Sequence, residues 1–337
     1  QKTAYEIPKR DWSSDVCSSD LVKRLLVLSA TVVLALVSSA LLVAQQPPAT
    51  PAPQGQPASP FRSGVEVVSL NVTVTDAVNR YVSDLDESDF AVFEDGVKQD
   101  LTFFTRKVQP VALSLLLDSS AGMEDKMPTL QGAAINFVHR LKPTDLAQII
   151  DFDSRVEIRK TFTSNQPELE TAINQATAGG STSLHNAIYI ALKELKKVKA
   201  RDEEDVFRQA LIVFSDGEDT SSLVSFDEVL DLAKRSEVAI FTIALRGLDT
   251  QTKGFREAEF VMRQLAQETG GKSYFPAKLE DLNSVYSQIA DELASQYTLG
   301  YTSKNVRRDG AWRRVVVQIA RPNLAPRTKR GYYAPTR

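Results

Sequence analysis

The chain has 337 residues, of which 42% are hydrophobic and 25% charged, an ordinary globular composition that allows one large domain or two to three small ones. Its 40 Lys and Arg against 43 Asp and Glu give a formal charge of -3, so the chain lacks the positive excess of nucleic-acid-binding proteins. With 1 cysteine and 2 histidines, it can form neither an intramolecular disulfide scaffold nor a multi-histidine zinc site.

The first 21 residues are unlike the rest of the chain. Residues 1–21 show neither helix nor strand periodicity and end in the string DWSSDVCSSDL. This segment resembles a translated sequencing-library adapter, and we expect it to be non-native. Excluding it from fold reasoning removes Cys17, the only cysteine.

Residues 22–44 form an export segment in this interpretation. Lys23 and Arg24 precede the uncharged apolar stretch Leu25–Ala44. The stretch fits a signal peptide cleaved after Ala40 or Ala44, and it is also long enough for a retained membrane anchor at 25–44. Either alternative predicts a protein that is exported, whether periplasmic, secreted or membrane-anchored facing outside the cytoplasm. Residues 45–62 follow as a proline-rich linker, expected to be an extended spacer.

Short β segments are predicted at both ends of the folded region, over 63–109 and 296–337. Val68, Leu70, Val72 and Val74 alternate with polar residues, which is the period of a half-buried strand. Further strands are predicted at 90–94, 97–104 and 312–320, with a hairpin turn at 95–96. Since each segment is too small to be stable alone, we expect one small β-sandwich built from both.

Residues 110–295 alternate between apolar strands and amphipathic helices, which predicts an α/β domain with a doubly wound, mostly parallel sheet. Strands are predicted at 111–118, 147–153, 156–161, 210–215, 238–245 and 273–276. Helices are predicted at 123–141, 166–177, 184–198, 226–236, 255–269 and 279–295.

Oxygen-bearing side chains follow several of these strands. Asp118 and Ser120 end the first strand, Thr182 precedes a helix, and Asp216 follows a later strand. In an open α/β sheet, ligands bind at the carboxyl ends of the strands. Carboxylate and hydroxyl oxygens suit Mg²⁺, Mn²⁺ or Ca²⁺ better than zinc.

The same residues resemble the metal-ion-dependent adhesion site of von Willebrand factor type A domains, whose pattern is D-x-S-x-S, then Thr, then Asp. The resemblance implies Ser120 and Thr182 as direct ligands, with Asp118 and Asp216 acting mainly through water. It also implies a protein partner that offers a carboxylate to the metal, and no reaction of the domain's own. Gly122 stands where the pattern has its second Ser, so one hydroxyl ligand is missing and we expect weakened metal binding.

Simpler interpretations exist for each polar residue. Asp118 and Asp216 could instead be helix N-terminal or turn carboxylates. We expect His185 to be exposed or capping and His139 to be structural. A solvated acidic rim is expected of Asp151, Asp153, Glu218 and Asp219. A solvated basic face, or a contact with an anionic polymer or lipid headgroups, is expected of Arg307, Arg308, Arg313, Arg314 and 327–330.

Three functions follow from these patterns. The first is an exported, non-enzymatic protein-binding or adhesion module that uses Mg²⁺ (or Mn²⁺ or Ca²⁺), without nucleic-acid binding. The second, favoured by Gly122, is a structural or interaction protein with a decayed site. The third is a metal-dependent hydrolase. The sequence shows neither a G-x-S-x-G motif nor a general base beside a nucleophile, and this argues against a hydrolase.

Overall fold

The computed structural model describes residues 67–198, 207–215, 219–244 and 253–336. The predicted adapter, export segment and linker therefore lie outside the described residues. All of the described residues belong to the compact unit Arg62–Arg337. None of the helices described in it has both the length and the apolar character needed to cross a membrane.

The strands are β1 (Val67–Thr75), β2 (Phe90–Glu94), β3 (Val97–Gln99), β4 (Leu101–Thr105), β5 (Val111–Asp118), β6 (Leu146–Phe152), β7 (Val156–Thr163), β8 (Arg208–Ser215), β9 (Ala239–Ala244), β10 (Ser273–Tyr274), β11 (Tyr297–Thr302), β12 (Trp312–Ile319), β13 (Ala325–Arg327) and β14 (Gly331–Tyr333). The helices are α1 (Met127–Val138), α2 (Gln166–Asn174), α3 (Leu184–Leu195), α4 (Phe226–Arg235), α5 (Lys253–Thr269) and α6 (Leu282–Ser295).

The α/β part is built on one six-stranded sheet in the order β10-β9-β8-β5-β6-β7. Its neighbouring strands are parallel except for β7, which follows β6 directly and pairs antiparallel with it. All eight residues of β5 are buried because the sheet is covered on both faces. Leu113, Leu115 and Leu117 face one apolar core, whereas Ala112 and Leu116 face the other. The predicted doubly wound fold is confirmed.

The helices begin at residues suited to that position. Ser225 caps α4, where its side chain accepts from the Glu228 N–H and the Glu228 side chain accepts from the Ser225 N–H. Asn165 caps α2 in the same way by accepting from the Glu168 N–H. These bonds satisfy backbone donors that a helix start leaves unpaired.

The two ends of the folded region form the predicted β-sandwich. One sheet has the order β13-β1-β11-β4, the other β14-β12-β2-β3, so each contains strands from both ends. Their facing side chains, including Leu70, Val92, Leu299 and Val317, form a third core. Asp95 and Gly96 make the predicted hairpin turn with positive φ angles of 47° and 84°.

Two predictions for the sandwich are wrong. The single strand predicted at 97–104 is divided at Asp100, because β3 belongs to one sheet and β4 to the other. Arg313 does not lie on a solvated face: its side chain is 2% exposed and lies 3.6 Å from the equally buried Glu94. Buried charged side chains are generally paired or hydrogen-bonded, and Glu94 supplies the opposite charge here.

The sandwich is held against the α/β part by buried polar contacts at the end of α6. The Glu292 side chain is fully buried, and one of its carboxylate oxygens lies 2.5 Å from Nη2 of Arg327 on β13. The same oxygen accepts from the Thr73 hydroxyl on β1 at 3.3 Å. Because Thr73 and Arg327 belong to the sandwich, these bonds fix its position on α6.

Candidate functional site

The candidate site lies where three loops meet at the carboxyl edge of the central sheet. The loop after β5 is joined to the loop before α3, since the Ala121 N–H donates to Gly180 O at 3.0 Å and the Gly179 N–H donates to Ser119 O at 2.8 Å. The loop after β8 joins them through the N–H groups of Thr220 and Ser221, which donate to Thr182 O at 2.9 and 3.0 Å.

Asp118 is the buried carboxylate of this site, with 0% of its surface exposed. Its Oδ1 accepts from the Ser120 N–H at 2.8 Å, and its Oδ2 accepts from the Ser215 hydroxyl at 2.5 Å. Burial raises the pKa of Asp118, although these bonds and the positive charge of Lys126 act in the opposite direction. The hydrogen bonds and the nearby positive charge therefore do not fully replace the hydration that the carboxylate loses on burial.

Hydroxyl groups lie close to this carboxylate. Ser120 and Thr182 are 4% and 7% exposed. The buried hydroxyl oxygens of Ser183 and Ser221, which flank the Thr182 backbone bonds, have no hydrogen-bond partner within the described part of the chain. Buried hydroxyls are normally paired, so the two oxygens are available to water or to a bound group.

The loop that carries Thr182 requires a glycine. Gly180 has φ = +74°, a conformation that L side chains rarely adopt, and a Cβ there would lie 2.9 Å from Oδ2 of Asp153. Asp153 also accepts the Arg155 N–H at 2.7 Å, and its carbonyl accepts the Ser183 N–H at 2.8 Å. Asp153 therefore holds the loop just after Thr182 through the Ser183 N–H and lies close to the backbone of Gly180 before it.

The structure brings together three of the four predicted metal ligands. Asp118, Ser120 and Thr182 lie in the connected loops described above. Asp216 lies outside the described residues, although the hydroxyl of Ser215, directly before it, contacts Asp118. Among the described residues, no group of three or more His, Cys, Asp and Glu side chains could hold a metal ion. The described part of the predicted donor set is the Asp118 carboxylate with the hydroxyls of Ser120 and Thr182.

Three expectations for nearby residues are wrong. Asp151 is 3% exposed and pairs with the Arg159 guanidinium at 2.8 Å, so it is not part of a solvated rim. Asp219 is largely buried: its Oδ1 accepts the His185 N–H at 3.1 Å and the Ser222 hydroxyl at 2.6 Å. Of the two alternatives for His185, exposure is wrong, since its ring lies 5.9 Å from that of Phe226 and its side chain is 14% exposed.

The structure also bears on the simple interpretations of His139 and Asp118, but not on that of Glu218. Glu218 lies outside the described residues, so its interpretation stays a prediction. His139 lies just after α1 and pairs with Glu170 at the surface. Asp118 does act as a turn carboxylate, because it accepts the Ser120 N–H, and this role is compatible with metal binding.

Sequence reasoning missed Lys126 as a neighbour of the site and assigned Asp153 only to a solvated rim. Ser215 is the last residue of β8, the position at which a side chain reaches the carboxyl edge, so its place was available from the predicted strand. The role of Asp153 depends on the folded path of the loop at 179–183, for which the sequence carries no signal beyond two adjacent glycines.

A doubly wound α/β domain with carboxylate and hydroxyl groups at the carboxyl edge of its sheet is the architecture that the resemblance implied. The model of the von Willebrand factor type A domain matches residues 113–288, more than half of the 337 residues. The chain belongs to this family, whose members are commonly non-enzymatic protein-interaction modules.

Relatives of this chain occur in mycobacteria. A UPF0353 protein of Mycobacterium marinum is 25% identical over 227 residues, covering 61% of this chain and 67% of the relative. A UPF0353 protein of Mycobacterium bovis is 25% identical over 218 residues, covering 58% and 64%. The chain therefore spans about two thirds of the length of these relatives.

Solved structures of similar proteins include a von Willebrand factor type A protein from Catenulispora acidiphila, with 9% identity, a TM-score of 0.48 and coverage of 82% of this chain and 76% of that one. Another is proximal thread matrix protein 1 from the mussel byssus with a zinc-occupied MIDAS motif, at 14% identity and a TM-score of 0.45, covering 59% of this chain and 49% of that one.

Proposed function

We propose that this protein is an exported, non-enzymatic binding module that holds a divalent cation at Asp118, Ser120, Thr182 and Asp216, and through it binds a carboxylate of a partner protein. The observation that carries the proposal is the buried Asp118 carboxylate, which loses its hydration at the meeting point of three hydroxyl-bearing loops. A bound cation would offset the buried negative charge.

The chemistry of the donor set supports Mg²⁺ or Mn²⁺, with Ca²⁺ as a further candidate. These ions prefer oxygen ligands, and Mg²⁺ in particular retains several waters in protein sites. Ser120 and Thr182 would be direct ligands, while Asp118 and Asp216 would act mainly through water. When bound, the ion supplies a positive centre with a position for an external carboxylate.

The surface beside the site also suits a protein partner. Leu223 is 94% exposed, yet its backbone is held in place because the N–H groups of Leu223 and Val224 both donate to Oδ1 of Asn186 at 3.1 Å. Asn186 lies in the first turn of α3, just after Thr182. An apolar side chain next to the partner's carboxylate would find a fixed contact there.

A second candidate function is binding without metal. Gly122 lies in the exposed turn after Ser120 and supplies no hydroxyl, and the positive charge of Lys126 already acts on Asp118. In this alternative Lys126 takes over the electrostatic role of the cation, and the domain binds its partner through the surface alone.

The test is a calorimetric titration of Mg²⁺ and Mn²⁺ into the fragment Arg62–Arg337, beside its variants Asp216→Ala and Gly122→Ser. The proposal predicts that the parent binds the ion and that Asp216→Ala abolishes binding. Gly122→Ser should tighten binding by about tenfold, because ligand-shell groups are commonly worth 10- to 100-fold in affinity.

Two other results would overturn the proposal. No binding in the parent, together with binding in Gly122→Ser, would show that the site has decayed and would select the metal-independent function. Binding that persists in Asp216→Ala would show that the cation is held elsewhere. A Lys126→Met variant separates the alternatives further, since removing a competing charge should tighten cation binding.

A further inference from the structure

A cavity of about 780 Å³ lies between the β-sandwich and the α/β part, away from the candidate metal site. Its lining includes Arg208 and Ala239, the first residues of β8 and β9, so it opens at the amino ends of strands whose carboxyl ends form the metal site edge. Its volume lies within the range of small-molecule pockets, which often form between domains.

The sandwich wall of the cavity is the outer face of one of its sheets. In β1 the side chains of Val68, Leu70 and Val72 point into the sandwich core, so the alternate residues Val67 and Ser69 face outward and line the cavity. On the neighbouring strands, Gly300 and Phe103 continue this wall.

This wall remains open because the sheet and the α/β part diverge along β1. At Thr73 the sheet is bonded to Glu292 of α6, whereas toward Val67 the parts separate. Val67 and Phe103 are consequently 50% and 49% exposed although both are apolar. The opposite wall contributes the apolar side chains of Leu192, Phe207 and Val238, which lie among polar and charged ones.

The charge of the lining is mostly positive. Among the described residues that line the cavity, five carry positive charge and one carries negative charge: Lys193, Lys196, Arg208, Arg235 and Lys329 against Glu237. The Lys329 side chain is 13% exposed, and its ammonium lies 3.8 Å from a carboxylate of Glu237 that is itself 70% exposed. Burial lowers the pKa of Lys329, which means that its charge is poorly compensated.

Arg208 adds a second buried charge. It is 3% exposed and donates to four neutral acceptors, on Gln109, Leu293, Gln296 and Thr298, at 2.9 to 3.2 Å. Two of these are carbonyls at the end of α6, whose helix dipole offsets part of the charge. Burial lowers the pKa of Arg208 to about 10. An anion in the cavity would provide the remaining compensation.

We infer that this cavity binds a free anionic amphiphile with the chemistry of a fatty acid, its chain lying against the apolar side chains of the two walls and its carboxylate facing Lys329. The site is separate from the metal-dependent binding proposed above, and neither depends on the other.

The experiment measures the fluorescence of dansyl-labelled undecanoic acid with the fragment Arg62–Arg337. The parent should bind the probe, and Lys329→Gln should weaken binding about tenfold, which corresponds to about 1.4 kcal/mol. Lys98→Gln is the matched control, since Lys98 is an exposed cation on β3 that does not line the cavity. Ser69→Phe, which fills the cavity, should abolish binding, whereas Val316→Phe adds an aromatic ring on the other sheet and should not.

Competition identifies the ligand. Dodecanoate should displace the probe about tenfold more effectively than dodecanol, and the fragment without probe should not cosediment with phosphatidylglycerol vesicles. Cosedimentation with the vesicles would assign the charge to a membrane surface. Equal effects of dodecanol and dodecanoate would remove the anion requirement, and either result overturns the proposal.

Two results with the protein variants would also overturn it. Equal losses in Lys329→Gln and Lys98→Gln would place the probe outside the cavity. If the parent fails to bind but a variant with amides at the acidic residues 202–205 does bind, this chain's own acidic stretch is the occupant.

Discussion

The buried ion pair Glu94–Arg313 offers a quantitative test of how the sandwich is built, because its two partners come from the two ends of the folded region. Both side chains are 2% exposed. Glu94 accepts the hydroxyls of Tyr301, Tyr332 and Ser303 at 2.6 to 3.0 Å. Replacing Glu94 with Gln preserves the shape and removes the negative charge beside Arg313.

The expected cost follows from what remains around Arg313. Breaking a buried pair generally costs about 3 to 5 kcal/mol, because one charge stays buried without its partner. Arg313 retains Asp309 and the carbonyl of Arg307, at 3.3 and 2.8 Å, which places the cost at the lower end. We therefore expect Glu94→Gln to lower the free energy of unfolding by about 3 kcal/mol, or the melting temperature by about 6 to 12 °C.

Urea and thermal unfolding of Glu94→Gln, Arg313→Met and the double variant measure this coupling. The double variant should return to within about 1 kcal/mol of the parent, since replacing both charges leaves neither buried alone. A Glu94→Gln variant within about 0.5 kcal/mol of the parent, or strictly additive single changes, would refute the reasoning.

Three further predictions concern other parts of the chain. In thermal unfolding, Mg²⁺ at 100 times its dissociation constant should stabilise the parent by about 2.7 kcal/mol and leave Asp118→Asn unchanged; an equal response of both proteins would contradict the site. Burial raises the pKa of Tyr81 and Tyr332 from 10 to about 12. The free energy of unfolding that their protonated hydroxyls contribute is therefore complete below pH 10 and should be lost as the pH rises through 12. Urea unfolding across this range should show the loss, and Tyr332→Phe should reduce it. Ser225→Ala removes the cap of α4 and should cost about 1 kcal/mol in the same assay, whereas no loss would contradict the capping role.

The fold was largely predictable because its main signals are local. The apolar run at 111–118 identified a strand covered on both faces, and Asp95-Gly96 identified a hairpin. The shared sandwich followed from size alone, since neither end segment can form a core by itself. The division at Asp100 was not predictable, because it depends on which sheet each half joins.

The candidate site was predictable to a smaller extent. The spacing of Asp118 and Ser120, with Thr182 after two glycines, carries the family resemblance. The burial of Asp151 and Arg313 could not be foreseen, since each depends on a partner placed by tertiary structure: Arg159 on the neighbouring strand and Glu94 from the other end of the sandwich. A charged residue that the sequence predicts to be solvated can be buried where the tertiary structure places a partner of opposite charge beside it.

The central claim, that a bound cation here accepts an external carboxylate, is tested most directly by water-proton relaxation of the Mn²⁺-loaded fragment Arg62–Arg337 during an acetate titration. The proposal predicts that acetate lowers the relaxation enhancement in the parent, because its carboxylate replaces a metal-bound water. Asp118→Asn, treated identically, should give no enhancement above free Mn²⁺. A Mn²⁺-loaded parent whose enhancement does not change with acetate would contradict the claim.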